Sequence, residues 1–337
     1  MMTSGTIGDM AQTFRMRQQT SDLKQRLDQL TLDLTRGVSI DQVTRMSGGL
    51  SRLSDIEHHL VVLDRRKQSA TEAQVTTSVM QTALERVQTV LTDLAATAVL
   101  ASPNTGTPFL SSTAQQGRAA LDATVAALNT TAGGQSIFAG ADVAGPSLVS
   151  ADDIMTAARA AVAGASSAED IMSALSAMFD VPGGVFESAL YQGATYPRTP
   201  FQLGSGESVA PDVRADDPVL RSAMKNMVAA ALIDDPAMPL PFDEKVALAR
   251  LSGQGLYDAD SGLVTIRGNL GHAESRIEAA TTRLMTELNL LQQARNDLMA
   301  VDPFEAASEL QTVQIQLETL YTITARSSRL SLVAFLR

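Results

Sequence analysis

Few residues in this chain have the types and spacing to do chemistry. Ser21 and Lys24, and again Ser222 and Lys225, stand at the S-x-x-K spacing by which some hydrolases activate a serine nucleophile. Each pair falls in a stretch of helical pattern, where positions three apart are neighbours whatever their use. No S-D-N or K-T-G companion occurs, and a four-residue motif alone has little specificity. His58 and His59 are adjacent, so on a helix they face different ways; His272 is the only other histidine. A three-ligand metal site has nothing there to build from, and solvated helix histidines are the simpler reading. Asp216-Asp217 and Asp234-Asp235 could offer oxygens to calcium, but both pairs precede prolines, where capping and turn chemistry favour aspartate. Asn129-Thr130-Thr131 matches the glycosylation sequon, yet it sits at a helix end near Gly133-Gly134, where asparagine is common for conformational reasons. There is no glycine-rich phosphate loop. There are no cysteines, which excludes disulfides, thiolate zinc and cysteine nucleophiles. The expectation is a non-enzyme without metal or cofactor.

The elements that would position such residues are more informative than the residues. Leucines and valines recur at alternating steps of four and three: Leu23, Leu27, Leu30, Leu34; then Leu53, Ile56, Leu60, Leu63; then Met80, Leu84, Val87, Leu91, Leu94. The C-terminal part repeats this with Leu284, Leu288, Leu291 and with Ala306, Leu310, Val313, Leu317, Leu320, Thr324. Steps of four and three place the side chains on one narrow stripe, the seam of a coiled coil. A helix cannot bury its own stripe. The other end of the chain is the nearest partner, and a second copy the next.

Punctuation divides the chain further. Residues 1–16 have weak periodicity and should be frayed alone; a helix runs from about Gln18 to Thr35, stopped by Gly37, and a short link follows over Val38–Asp41. Leu50 to Leu100 reads as one helix, about 75 Å long at ~1.5 Å per residue, broken by the Pro103–Pro108 segment. An Ala-rich helix spans Ser112 to Asn129. Short helices should start at Ser150 and Ser167, two strands should flank Gly204-Ser205-Gly206-Glu207, and Asp217-Pro218 should open a helix to Ile233. Phe242–Tyr257 reads as a separate helix before another resumes near Leu263. Asp302-Pro303-Phe304-Glu305 reads as a capped restart of a helix running to the end.

Composition separates middle from ends. Of the net charge of −11, residues 135–265 hold 17 acidic and 7 basic side chains, so the ends are nearly neutral. Aromatics are 4% of the chain, and none lies between Phe14 and Phe109. The fold class expected is mainly α: long terminal helices paired in a coiled-coil bundle, with a small α+β domain inserted. The expected division is an N-terminal helical arm over 1–135, an acidic, surface-exposed α+β domain over 136–264, and a C-terminal arm over 265–337. No basic patch survives this balance, so nucleic acid is not an expected partner. No run approaches the ~20 apolar residues of a membrane span. The first twenty residues, with Asp9, Arg15 and Arg17 and no continuous apolar stretch, do not read as a cleaved signal peptide.

At several points the residues resemble the flagellin superfamily, and within it the proteins that join hook to filament. Leu34-Thr35-Arg36-Gly37, then Ile40, then Gly49, is similar to the flagellin pattern of helix end, turn and second helix. Met46-Ser47 stand where flagellins usually carry an aspartate pair. Ser136-Ile137-Phe138-Ala139-Gly140 resembles the F-A-G element that follows the long helices in junction proteins. The tail from Leu317 to Arg326, with Ser328-Arg329-Leu330, resembles junction proteins more than filament flagellins, although Ser327 puts a polar residue on the seam. The resemblance covers about 1–140 and 265–337 and rests on Gly37, Gly49, Phe138, Gly140, Arg326 and Arg329.

The resemblance implies a structural subunit of the bacterial flagellum. It would be a homo-oligomeric ring between a hook-side adaptor and the filament flagellin, located outside the cell at the hook–filament junction and needed for swimming. Export without a cleaved signal, and a cytoplasmic chaperone on the C-terminal helix, are part of that implication. Two alternatives stand beside it, a filament flagellin and an intracellular coiled-coil signalling hairpin. A helical enzyme with its site between subunits would need a loop cluster of His, Lys, Arg or Ser that the sequence does not supply.

Overall fold

The computed structural model describes residues 4–39, 43 and 48–335, with side chains over the same span except 4–10, 13 and 327–335. The chain is mainly α. Its helices are α1 (Ser4–Arg36), α2 (Gly49–Val99), α3 (Thr107–Leu128), α4 (Ala151–Ala161), α5 (Ala168–Phe179), α6 (Pro218–Ala231), α7 (Phe242–Met299) and α8 (Pro303–Phe335). Two hairpins complete it, β1 (Thr131–Ala132) with β2 (Gln135–Ser136), and β3 (Phe201–Gly204) with β4 (Glu207–Val209). Two compact units result: residues 1–64 with 286–337, and residues 65–285. The stretch 136–264 lies inside the second.

The larger unit is organised around α6. Leu220, Ala223, Met224, Met227, Val228, Ala229 and Ala230 are all buried, while Arg221, Ser222 and Lys225 hold one partly exposed polar edge. Helices α3, α5 and α7 close on it, and small residues set how near they come. A side chain at Gly117 of α3 would put its Cβ 2.7 Å from the Ala231 amide nitrogen. On α7, Gly262 faces Val219 and Gly255 faces the Asn226 amide, both from α6, while Gly253 faces Val99 of α2. These notches explain a departure from expectation. The glycines and aspartates of 253–262 read as a break between two helices, yet α7 runs unbroken for 58 residues. Glycine costs helix only about 1 kcal/mol against alanine, and close packing against the two neighbouring helices offsets it. No proline falls in the stretch to enforce a stop.

Other boundaries follow from local chemistry. Ser150, Ser167 and Asp217 cap α4, α5 and α6 by accepting from the backbone N–H of Asp153, Asp170 and Val219. Asp302 caps α8, its Oδ1 taking the N–H of Phe304 at 2.8 Å and of Glu305 at 3.3 Å. Helix α3 begins at Thr107, earlier than Ser112, because Pro108 occupies its first turn instead of breaking it. Helix α1 begins at Ser4, earlier than the expected Gln18. The π-turn at Phe186–Leu190 and the β1–β2 hairpin had no foreseen counterpart. Gly133 and Gly134 are that hairpin's turn, both at positive φ as a two-residue connection requires.

The smaller unit holds α1 and α8 as an antiparallel pair, together with the start of α2 and the end of α7. At its closed end, Gly37 adopts φ +71° and donates to the Asp33 carbonyl at 2.8 Å. Ser39 N–H then donates to Met299 O at 2.9 Å and Val301 N–H to Gly37 O at 3.1 Å, pairing Val38 with Ala300.

Candidate assembly surfaces

The residues that could have done chemistry are engaged elsewhere. Lys225 Nζ lies 2.5 Å from Asp180 Oδ2 and 3.2 Å from Ser176, while the Ser222 carbonyl accepts from Asn226. Lys24 sits 5.9 Å from the Tyr321 ring. His58, His59 and His272 are exposed, and no group of three His, Asp or Glu among the described residues could hold a metal. Asp234 bonds Lys245 and Ser111; Asp235 pairs with Arg159 at 2.8 Å. Asn129 clamps Leu148, donating to its carbonyl and accepting from its N–H, both at 2.9 Å. That double bond explains the asparagine without a glycan.

What remains is the apolar stripes, and the two units treat them differently. In residues 65–285 the stripe is consumed by the subunit itself: Met80, Leu84, Val87, Leu91 and Leu94 are buried in one core with α3, α5 and α6. Leu284 is buried as well. In the smaller unit the stripe is only partly covered. Leu30, Leu288, Val313 and Leu317 are buried; Leu23, Leu27, Leu291, Leu310 and Leu320 are half-buried; Thr324 is exposed. Arg26 reaches Glu309 at 2.5 Å across the pair.

Leu34 departs from the rest of the α1 stripe within the subunit. It is 37% exposed, and the neighbouring Asp33 is buried in its place. The Asp33 carboxylate accepts from Ser39 Oγ at 2.6 Å and from Gln29 at 2.9 Å, which turns that edge of the helix end inward. A strict four-three repeat cannot anticipate this, because the turn after Gly37 supplies the partners.

Arms α1 and α8 also carry apolar side chains off the stripe. Ile315, Tyr321 and Ile323 are about half exposed, and Phe304 is 85% exposed. Beside the stripe, Gln19, Asp22, Leu23, Ile315, Gln316, Thr319, Leu320 and Ile323 line a groove of about 480 Å³. Sequence reasoning missed this second face. The signal was present in Ile315 and Ile323, eight residues apart and therefore about two turns along one side.

The motif residues fall out as follows. Phe138 is fully buried, and the backbone on either side is pinned: Ala194 N–H donates to Ala139 O, Ala215 N–H to Phe138 O and Ala141 N–H to Tyr196 O. Gly140 has φ +63°, and a Cβ there would lie 2.7 Å from the carbonyl oxygens of both Ala194 and Tyr196. Only glycine fits on either ground. Tyr191 closes the knot by donating to Ala194 O at 2.9 Å; burial, then the Asp216 charge, push its hydroxyl pKa well above the ordinary tyrosine value. At the N-terminal motif Gly37 is left-handed as expected of a helix stop, but at the second position it is Gly48, at φ +75°, while Gly49 is the first residue of α2. Arg326 is exposed on α8, and Ile40, Met46-Ser47 and the side chains of Ser327 and Arg329 lie outside the described residues.

Residues 255–336 match the family model for the bacterial flagellin C-terminal helical region. Over that segment, which is less than half of the chain, the protein is similar to flagellins. The matched region takes in most of α7 and all of α8, including every stripe residue from Leu284 to Leu320. No curated protein sequence matches the chain. Among solved structures, it is similar in fold to a Vibrio parahaemolyticus protein described as a flagellar hook-associated one. The TM-score is 0.52 at 12% identity, over 76% of this chain and 99% of that one. No helix among the described residues is long and apolar enough to cross a membrane.

Proposed function

We propose that the protein is a structural, non-enzymatic subunit of the flagellum at the junction of hook and filament. It forms a ring of identical subunits, with a hook-side adaptor on one side and filament flagellin on the other. One observation supports this above the rest. The segment that matches flagellins, residues 255–336, holds the arm helix whose apolar surface the subunit leaves partly open. In a ring, copies of α1 and α8 cover Ile315, Leu320 and Ile323, and the acidic stretch 136–264 faces solvent. Before assembly the same surface needs shielding, which is the role of an export chaperone on α8. The subunit leaves the cell unfolded, without a cleaved signal.

A strain lacking the gene tests this. It should build hooks of normal length, release unassembled flagellin into the medium and lose swimming, all restored by the gene in trans. Full filaments and full motility in that strain would refute the junction role. The filament-flagellin reading is favoured only by the C-terminal match itself, and it makes the opposite forecast for the isolated protein: long fibres from the purified subunit alone.

A further inference from the structure

Hairpin β3–β4 lies within residues 65–285 and is too small to be stable unaided, since two strands alone are marginal in water. Its inward side chains, Phe201, Leu203 and Val209, are all buried. Its polar attachments reach both long helices. From α2, Arg66 donates to Ser205 Oγ at the hairpin tip at 3.0 Å, and Glu72 pairs with Arg198 at the hairpin base at 3.2 Å. Arg198 also donates to Gln135 at 2.5 Å and lies over the Phe201 ring at 5.3 Å. From α7, Arg276 donates to the Ser208 carbonyl at 3.1 Å, and Arg283 pairs with Glu207.

These attachments fall where α2 has its smallest interior side chains. Between residues 65 and 79 the buried α2 positions are Ala70, Ala73, Thr76 and Thr77; only beyond them do Met80 and Leu84 supply bulk. Alanine and threonine bury too little apolar area to hold two long helices together strongly. The hairpin, tied to that same stretch through Arg66 and Glu72, brings a buried phenylalanine, leucine and valine of its own. We propose that β3–β4 is a strap: it braces α2 over residues 66–77 against α7 over residues 276–284, and lifting it frees both helices there. The strap does not depend on the junction role.

Amide hydrogen exchange on the full chain tests it. Leu203→Asp should detach the hairpin and raise exchange at 70–77 and 276–284 by about tenfold or more, with α6 unchanged. A second variant, Glu207→Gln with Arg276→Ala, removes only α7-side attachments and keeps the apolar face. It should also speed exchange on the α2 side, at 70–77, where neither substituted residue lies. Faster exchange confined to 201–209 in either variant would make the hairpin a passive ornament and overturn the strap. So would a rise in the second variant limited to α7. If Leu203→Asp also loosens α6, the second variant decides alone.

Discussion

Residues 65–285 and the arm pair α1–α8 are built from the same vocabulary of heptad-spaced leucines, and they end in different states. In the larger unit the stripe of α2 disappears into a core with α3, α5 and α6, and Phe138, Phe179 and Phe186 complete it. In the arms, two helices share one stripe, and about half of it stays within reach of solvent along with Ile315, Tyr321 and Ile323. A two-helix pair has one covered seam and no second layer, whereas three helices close on α6. Periodicity alone does not distinguish a completed core from one awaiting partners. The number of elements that close on it does.

The sharpest way to break the contrast is to damage each side and see whether the other responds. Phe179 is fully buried against Phe186, with ring centroids 5.4 Å apart. Phe179→Ala should destabilise the larger unit by about 3–5 kcal/mol, read as a lowered denaturation midpoint. If that midpoint did not move, the larger unit would not be the self-sufficient core described here.

Leu317→Asp is the matching injury to the arms. Leu317 is 8% exposed on α8, and losing its burial costs about 1.5–3 kcal/mol before the added penalty of placing a charge there. The denaturation midpoint of the larger unit should stay put, while incorporation at the hook tip and swimming are lost. Glu318→Ala, next along and exposed, should behave as the parent in both assays. Motility retained by the aspartate variant and lost in the alanine variant would reverse the assignment of faces.

Gly140→Ala tests the F-A-G knot, with a strained backbone of order 1–3 kcal/mol and a Cβ against two carbonyls. The larger unit should lose stability by that order, and assembly should weaken only through it. Smaller effects follow at the surface. Arg26→Ala removes a half-exposed ion pair with Glu309, worth about 0.2–1 kcal/mol and screened by salt. Asp234 is held below the usual aspartate value, chiefly by the hydrogen bond from Lys245 and then by Ser111. Its contribution is present above the ordinary carboxyl pKa and fades as pH falls through the lowered one. Asp234→Asn should therefore flatten the acid limb of the larger unit's stability profile slightly.

Much of this was legible in residue order, and the misses share a cause. Caps and restarts at Ser150, Ser167, Asp217 and Asp302 could be read because a cap is local: the donor and acceptor lie within three residues. The β3–β4 turn could be read from Gly204-Ser205-Gly206 for the same reason. The unbroken α7 could not, since Gly253, Gly255 and Gly262 are explained only by Val99, Asn226 and Val219 arriving from elsewhere. Leu34 and Asp33 exchanged roles because Ser39, after the turn, satisfies the carboxylate. At the candidate surface, the stripe was visible as a period, but Ile315 and Ile323 gained meaning only once α1 lay alongside and left them uncovered.

The most direct test of the contrast is amide exchange on the free subunit, repeated after capture on isolated hooks. The free protein should show α3 and α6 protected to the limit of global unfolding, while residues 11–36 of α1 and 303–326 of α8 exchange orders of magnitude faster. On the hook, protection should rise in the arms and change little in α3 and α6. Uniform protection from one end of the free subunit to the other, or arms that gain none on capture, would contradict the claim that the larger unit is complete and the arms are not.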